Sequence, residues 1–264
     1  MYPVTGSPVA GRVVRVGLGT TYLDWGGAGP PLVLLHPNGF CAGLYDPLAR
    51  GLVDRCRVVG IDMRGHGASD DVVDSGLLGN DAIALDVLAV ADHLGFDRFA
   101  LLGVSFGGAV GIEVAVAAPE RVAALVLCEA IAIEAQARER QHFGTDGADH
   151  PLAIGARRRR DVWDDREDGR VELACRPETE ALVFGSERCH GPVEAFEALQ
   201  RVTSPAAVMA GTHTDLDPSW FAGQADVLGV GLQLVDGGHF CLFEDTDRAV
   251  GLVDDNLRSL GYLT

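Results

Sequence analysis

FALLGVSFGGAV, residues 99–110, opens as an apolar run and then sets Ser105 between Gly103 and Gly107, ahead of a second apolar stretch that ends at Pro119. The run Phe99 to Leu102 fits a strand buried on both faces, and the pattern after Ser105 predicts a helix over 106–117 that the proline stops. A strand that turns into a helix at a single residue forces that residue into a strained backbone conformation, and side chains two positions away on either side would clash. Glycine at 103 and 107 removes the clash. Such a turn lifts the Ser105 hydroxyl clear of the sheet and aims the N–H groups of a helix N-terminus at whatever it attacks.

Working outward, the same kind of short apolar run recurs at Leu32–Leu35, Val58–Ile61, Ala124–Leu127 and Ala207–Ala210, and a further strand is expected at 231–235. Helical patterns lie between them at 43–54 and 77–94, and a closing helix is expected over 244–260. Strand and helix in alternation give an α/β fold, a mostly parallel sheet flanked by helices on both faces. Ahead of it, residues 12–18 and 20–25 alternate as two strands joined by a glycine turn. Residues 130 to about 200 break the rhythm, being rich in charge, with helix-like stretches at 131–142 and 177–185. They are expected to be an insertion that caps a single domain running over 1–264.

Composition bounds the partners. With 47% hydrophobic and 22% charged residues the chain can build a core. Its 21 basic against 38 acidic side chains leave a formal charge of −17, which repels phosphate backbones and anionic lipid surfaces, so neither nucleic acid nor a membrane is an expected partner. The basic run Arg157–Arg160 is followed at once by Asp161, Asp164, Asp165, Glu167 and Asp168, as on a solvated, internally paired face. The six cysteines show no CxxC spacing, and His142, His150, His190 and His213 show no metal-ligand spacing, so no metal is expected. The N-terminal residues lack a basic start and a long apolar stretch, which reads as a soluble, cytoplasmic protein.

In open parallel sheets ligands collect at the carboxyl ends of the strands. The polar residues expected there are His36-Pro37-Asn38-Gly39, the stretch Asp62 to Gly67, Ser105, and the pair Asp215 and Asp217. A serine hydroxyl becomes a nucleophile when a histidine takes its proton, and the histidine needs a carboxylate to fix its tautomer. His239, in Gly237-Gly238-His239-Phe240 just past the last strand, is the expected base. Asp215, in GTHTDLD at 211–217, is the expected acid ahead of Asp217, in the chain order Ser, Asp, His. Glu129 is the rival acid, because it too ends a strand, directly after Ala124–Cys128.

HPNG at 36–39, DMRGHG at 62–67, GVSFG at 103–107, the loop at 211–217 and GGHF at 237–240 resemble, in order and over nearly the whole chain, the α/β-hydrolase superfamily. The resemblance implies an eight-stranded sheet with one antiparallel strand, a small helical cap inserted after the sixth strand, and hydrolysis without a cofactor. It implies an oxyanion hole made by the backbone N–H groups of Asn38 and Phe106. The family usually has glycine after the histidine at position 36; here Pro37 has no N–H, which leaves Asn38 as the donor. The His-x-Asn arrangement is similar to relatives that bind halide through asparagine, but those use an aspartate nucleophile where this chain has Ser105, and the same point counts against epoxide hydrolysis. The family places residues such as His36, Arg64 and His66 in loops beneath the site. Cys41 and Cys241 are expected to line the pocket, and Trp163 and Trp220-Phe221 to line an acyl pocket or fill the cap core. The implied activity is that of a serine hydrolase acting on a small-molecule carboxylic ester, lactone or thioester through an acyl-enzyme. Acyl transfer or perhydrolysis by the same residues, and ligand binding without catalysis, are the alternatives.

Overall fold

Strands covered on both faces need an apolar side chain at every position, and the centre of the sheet is built that way. The computed structural model describes residues 7–72, 74–140, 174, 175, 179, 183 and 191–264. Among them the strands are β1 (Val9–Arg15), β2 (Leu18–Gly26), β3 (Pro31–Leu35), β4 (Arg57–Ile61), β5 (Phe99–Val104), β6 (Val122–Cys128), β7 (Ala206–Gly211) and β8 (Leu232–Val235). They form one eight-stranded sheet in the order β1-β2-β4-β3-β5-β6-β7-β8. β2 runs against both of its neighbours and every other pairing is parallel. The described helices are α1 (Asp46–Leu52), α2 (Asn80–His93), α3 (Phe106–Ala117), α4 (Ala135–Arg140), α5 (Gly191–Leu199), α6 (Pro218–Leu228), α7 (Cys241–Glu244) and α8 (Thr246–Ser259).

The period of two within each strand sorts its side chains between two layers. Val33, Leu35, Leu101 and Leu127 pack with Ile83 and Val87 of α2, Ile112 of α3 and Ala195 of α5. Leu32, Leu34, Leu102 and Val126 pack on the opposite face with Leu48 and Leu52 of α1 and Val253 and Leu257 of α8. Each leucine so buried stabilises the fold by roughly 1.5–3 kcal/mol relative to an exposed one. The result is a rigid sheet whose carboxyl edge positions every functional loop.

Three boundaries differ from the sequence expectation. The β1–β2 turn falls at Val16-Gly17, not at Gly19, with Arg15 paired to Leu18 and both turn residues at positive φ, 47° and 81°. That backbone matches the twist of a two-residue hairpin, and a β-branched residue is the last one the sequence would nominate for it. The helix expected at 43–54 divides into a 3-10 turn, Ala42–Tyr45, and α1. The closing helix starts at Thr246, because Asp245 is extended and its side chain accepts from the Arg248 N–H as an N-cap.

The chain leaves the sheet after Cys128 and rejoins it at Ala206. Most of the segment expected to be an insertion lies outside the described residues, including Arg157–Arg160, Trp163, Cys189, His142, His150 and His190. Among the described residues no helix is long and apolar enough to cross a membrane.

Candidate active site

Ser105 sits between β5 and α3 with φ 54° and ψ −117°, the strained turn expected of it. A Cβ on Gly103 would lie 2.4 Å from the Gly107 carbonyl oxygen, and one on Gly107 would lie 2.1 Å from that of Leu35. The two glycines therefore let α3 start hard against the end of β3. This brings Phe106, the first residue of α3, beside the loop that runs from His36 to Phe40.

The Ser105 hydroxyl lies 3.0 Å from Nε2 of His239, and Nδ1 of the same ring lies 2.7 Å from Oε2 of Glu129. In the neutral ring Nδ1–H donates to the carboxylate, which leaves Nε2 to accept from the serine. His239 is held over the sheet by a tight loop: Gly237 has φ 132°, Gly238 N–H donates to Oε1 of Glu244 at 2.9 Å, and Cys241 N–H donates back to the Gly238 carbonyl at 3.1 Å.

The carboxylate beside His239 is that of Glu129, and this corrects the expectation for Asp215. Both ring nitrogens of His239 are engaged, by Ser105 and by Glu129. Asp215 is exposed on the loop after β7, and Asp217 caps α6, its Oδ1 accepting from Ser219 N–H at 2.9 Å. Sheet order supplies the reason. β6 is the immediate neighbour of β5, and the Ser105 N–H bonds the Cys128 carbonyl at 3.0 Å, so the residue after Cys128 is next to Ser105. β7 is one strand farther out, about 10 Å from β5.

Glu129 is fully buried and has φ 51°. Among the described residues the non-glycine positions at positive φ are the hairpin residue Val16, Ser105 and Glu129, so outside that turn backbone strain coincides with the two ends of the hydrogen-bonded chain. The Glu129 N–H donates to Met209 at 2.9 Å, while its carboxylate accepts from Gly211 N–H at 2.7 Å and from the Thr214 hydroxyl at 2.8 Å. Thr214 had no role in the sequence reading. The signal that singled out Glu129 was a charge placed directly at the end of an all-apolar strand.

A family model described as the alpha/beta hydrolase fold matches residues 30–152. Over that stretch, just under half of its length, the chain matches the α/β-hydrolase family, and its sheet has the α/β-hydrolase fold. It is 40% identical over 122 residues to the dihydrolipoyllysine-residue acetyltransferase component of the acetoin cleaving system of Pseudomonas putida, covering 45% of this chain and 30% of that protein. It is 36% identical over 115 residues to a pimeloyl-[acyl-carrier protein] methyl ester esterase of Nitrosomonas europaea, covering 42% of this chain and 41% of that one. The chain thus spans less than half the length of these curated relatives. In three dimensions it is similar to an esterase from Thermogutta terrifontis, with TM-score 0.75 and 21% identity over 95% of this chain and 99% of that one.

Below the site, histidines brace the loops. His36 donates from Nδ1 to the Pro37 carbonyl at 2.8 Å and accepts the Met63 N–H on Nε2 at 3.0 Å; burial pushes its pKa down to about 4. His66 is pushed down to about 3 by burial and by the neighbouring His36, so it is neutral. Its Nδ1 lies 2.9 Å from the Arg64 carbonyl, and its Nε2 lies 3.0 Å from Oδ1 of Asn38. The Asn38 side chain is therefore committed to the loop. Asp62 accepts from Ala42 and Ala68 N–H at 2.7 and 2.8 Å, with burial raising its carboxyl above the ordinary value, and Arg64 pairs with buried Asp86.

Two of the pocket assignments change. Cys241 is buried with its sulfur 3.8 Å from that of Cys128, in the layer packed by α8. Phe221 packs under α6 on Val208 and Ala210, whereas Trp220 packs on Ile131 and Ile133. Cys41 is half-buried. Ala174 donates to the Gly39 carbonyl at 3.1 Å and accepts from Gly67 at 2.6 Å, so the chain between β6 and β7 returns onto the loop that carries Asn38. Among the described residues no three His, Cys, Asp or Glu side chains converge as metal ligands would.

Proposed function

We propose that this α/β-hydrolase is a serine hydrolase that cleaves a carboxylic ester, lactone or thioester of a small molecule through an acyl-enzyme. The observation that carries the reading is the continuous chain from the Ser105 hydroxyl through His239 to buried Glu129, at 3.0 and 2.7 Å. Ser105 Oγ attacks the carbonyl carbon as its proton passes to Nε2 of His239. The tetrahedral oxyanion is held by the backbone N–H groups of Asn38 and Phe106, at the point where the α3 N-terminus meets the 36–40 loop. His239 returns the proton to the leaving alcohol or thiol. It then takes one from the water that attacks the acyl-enzyme, and Ser105 is restored as the acid departs. Throughout, the Glu129 anion stabilises the imidazolium.

The segment between β6 and β7 serves in this reading as a cap. Its foothold is Ala174 and Cys175 against Gly39, His66 and Gly67, beside the proposed oxyanion loop. The esterase among the relatives supports the reaction class.

A fluorophosphonate probe tests the reading. Wild type is expected to take one label at Ser105, located by mass spectrometry of the modified peptide, and Ser105→Ala is expected to take none. Folded wild type that stays unlabelled, or label carried by another residue, overturns it.

A further inference from the structure

The loop from Gly211 to Asp217 carries the carboxylates that the sequence nominated, yet what it delivers to the site is a pair of donors. Gly211 N–H reaches Oε1 of Glu129 at 2.7 Å and the Thr214 hydroxyl reaches Oε2 at 2.8 Å. Oε2 is also the oxygen that accepts from His239. We propose that Thr214 is a positioning residue, whose hydroxyl holds the Glu129 carboxylate in line with His239. The proposal rests on the Ser105, His239 and Glu129 reading above.

A carboxylate pinned only at Oε1 can rotate about the bond to Cγ and carry Oε2 off the Nδ1 axis. A donor at Oε2 stops that rotation. The hydroxyl is itself oriented, because its oxygen accepts the Leu216 N–H at 3.3 Å, which turns its hydrogen toward Glu129. A hydroxyl donating to an ion is worth more than a bond between neutral groups.

The hydroxyl also governs how readily the pair takes up a proton. With one donor fewer on the anion, the Glu129 and His239 pair binds a proton more tightly, so the acid limb of the rate profile moves to higher pH. Other titratable groups lie on the elements around the pair. They are the Cys128 thiol on β6, the Cys241 thiol and Glu244 on α7, His36 and His66 in the loops below, Asp236 ahead of His239, and His213, Asp215 and Asp217 on the Thr214 loop itself. All of them are common to wild type and variant, and their effect cancels in the comparison.

The test is the second-order rate of Ser105 phosphonylation by a fluorophosphonate, measured against pH for wild type, Thr214→Val, Thr214→Ser and Glu129→Gln. Thr214→Val keeps the shape of the side chain; it is expected to react roughly tenfold more slowly, with its acid limb moved upward in pH. Thr214→Ser is expected to restore both rate and limb. Thr214→Ala stands in for valine should the added methyl disturb the loop. A Thr214→Val or Thr214→Ala rate and limb equal to wild type overturns the proposal, as does a serine variant as impaired as valine, which would assign the effect to packing. If Glu129→Gln slows the reaction while Thr214→Val does not, Thr214 falls alone. If Glu129→Gln reacts like wild type, the triad reading falls and Thr214 with it.

Discussion

The loops that leave β6 and β7 look alike in sequence, each an apolar strand followed by carboxylates, but the sheet uses them in opposite ways. The β6 exit places Glu129 at zero exposure and positive φ, with its N–H fixed to Met209 and its side chain fixed to Gly211 and Thr214. The β7 exit leaves Asp215 exposed and spends Asp217 on the cap of α6. A carboxylate that serves a histidine must be close, desolvated and held, and among the described residues the loop after β6, the neighbour of the strand that ends at Ser105, meets all three conditions. The farther loop contributes N–H and O–H groups that steady a charge it does not carry.

The comparison breaks most visibly at Glu129. Glu129→Gln is expected to lower the rate of ester turnover and of Ser105 phosphonylation by about 10³–10⁴. The amide cannot stabilise the imidazolium, and it no longer selects the tautomer that leaves Nε2 free to accept from Ser105. A fall of less than tenfold, measured on a p-nitrophenyl ester and on the fluorophosphonate, would show that the burial of Glu129 serves the fold alone.

Why the sequence favoured the wrong loop is a matter of what local patterns encode. The elbow at Ser105 was legible because its requirement is local: small residues two positions away, a strand before and a helix after. The parallel sheet was legible for a similar reason, since β5 and β6 bury every residue, β3 all but Pro31, and the three read as unbroken apolar runs. His239 was legible from its glycines. The carboxylate beside His239 was not, because a choice between Glu129 and Asp215 turns on which strand lies beside β5, and adjacency is not written in any one stretch. The hairpin turn at Val16 escaped because the register of β1 on β2 placed a valine where local preference asks for glycine or asparagine. The role of Thr214 escaped because a hydroxyl has meaning only once its partner is placed.

The contrast between buried and exposed groups extends to the histidines, and acid sharpens it. His36 is wholly buried with its pKa near 4, against an ordinary value of 6.5. Its folded pKa is depressed, so the unfolded chain binds the proton first, and stability is lost as pH falls through 6.5 toward 4. The full loss reaches roughly 3 kcal/mol for this residue below that range. Thermal melts at pH 7.0, 5.5 and 4.5 are expected to show a falling Tm in wild type. His36→Gln is expected to lower Tm at pH 7 but to show a shallower decline with acid. An equal slope in both proteins would remove His36 from the account.

The smallest expected effect carries the comparison furthest. Asp215→Asn removes one negative charge from a chain of formal charge −17, at an exposed position where water screens it. Phosphonylation of Ser105 is expected to stay within about twofold of wild type, and stability within about 0.5 kcal/mol, as for other surface substitutions. Glu129→Gln and Asp215→Asn make the same chemical change, carboxylate to amide, in loops that touch. Charge lost is equal in the two, so the ratio of their rates isolates what position contributes: burial beside the nucleophile's strand, and the donors at Gly211 and Thr214. A large loss in Asp215→Asn would mean that the β7 loop swings its own carboxylate toward His239 during turnover, and the roles of the two loops would then be exchanged.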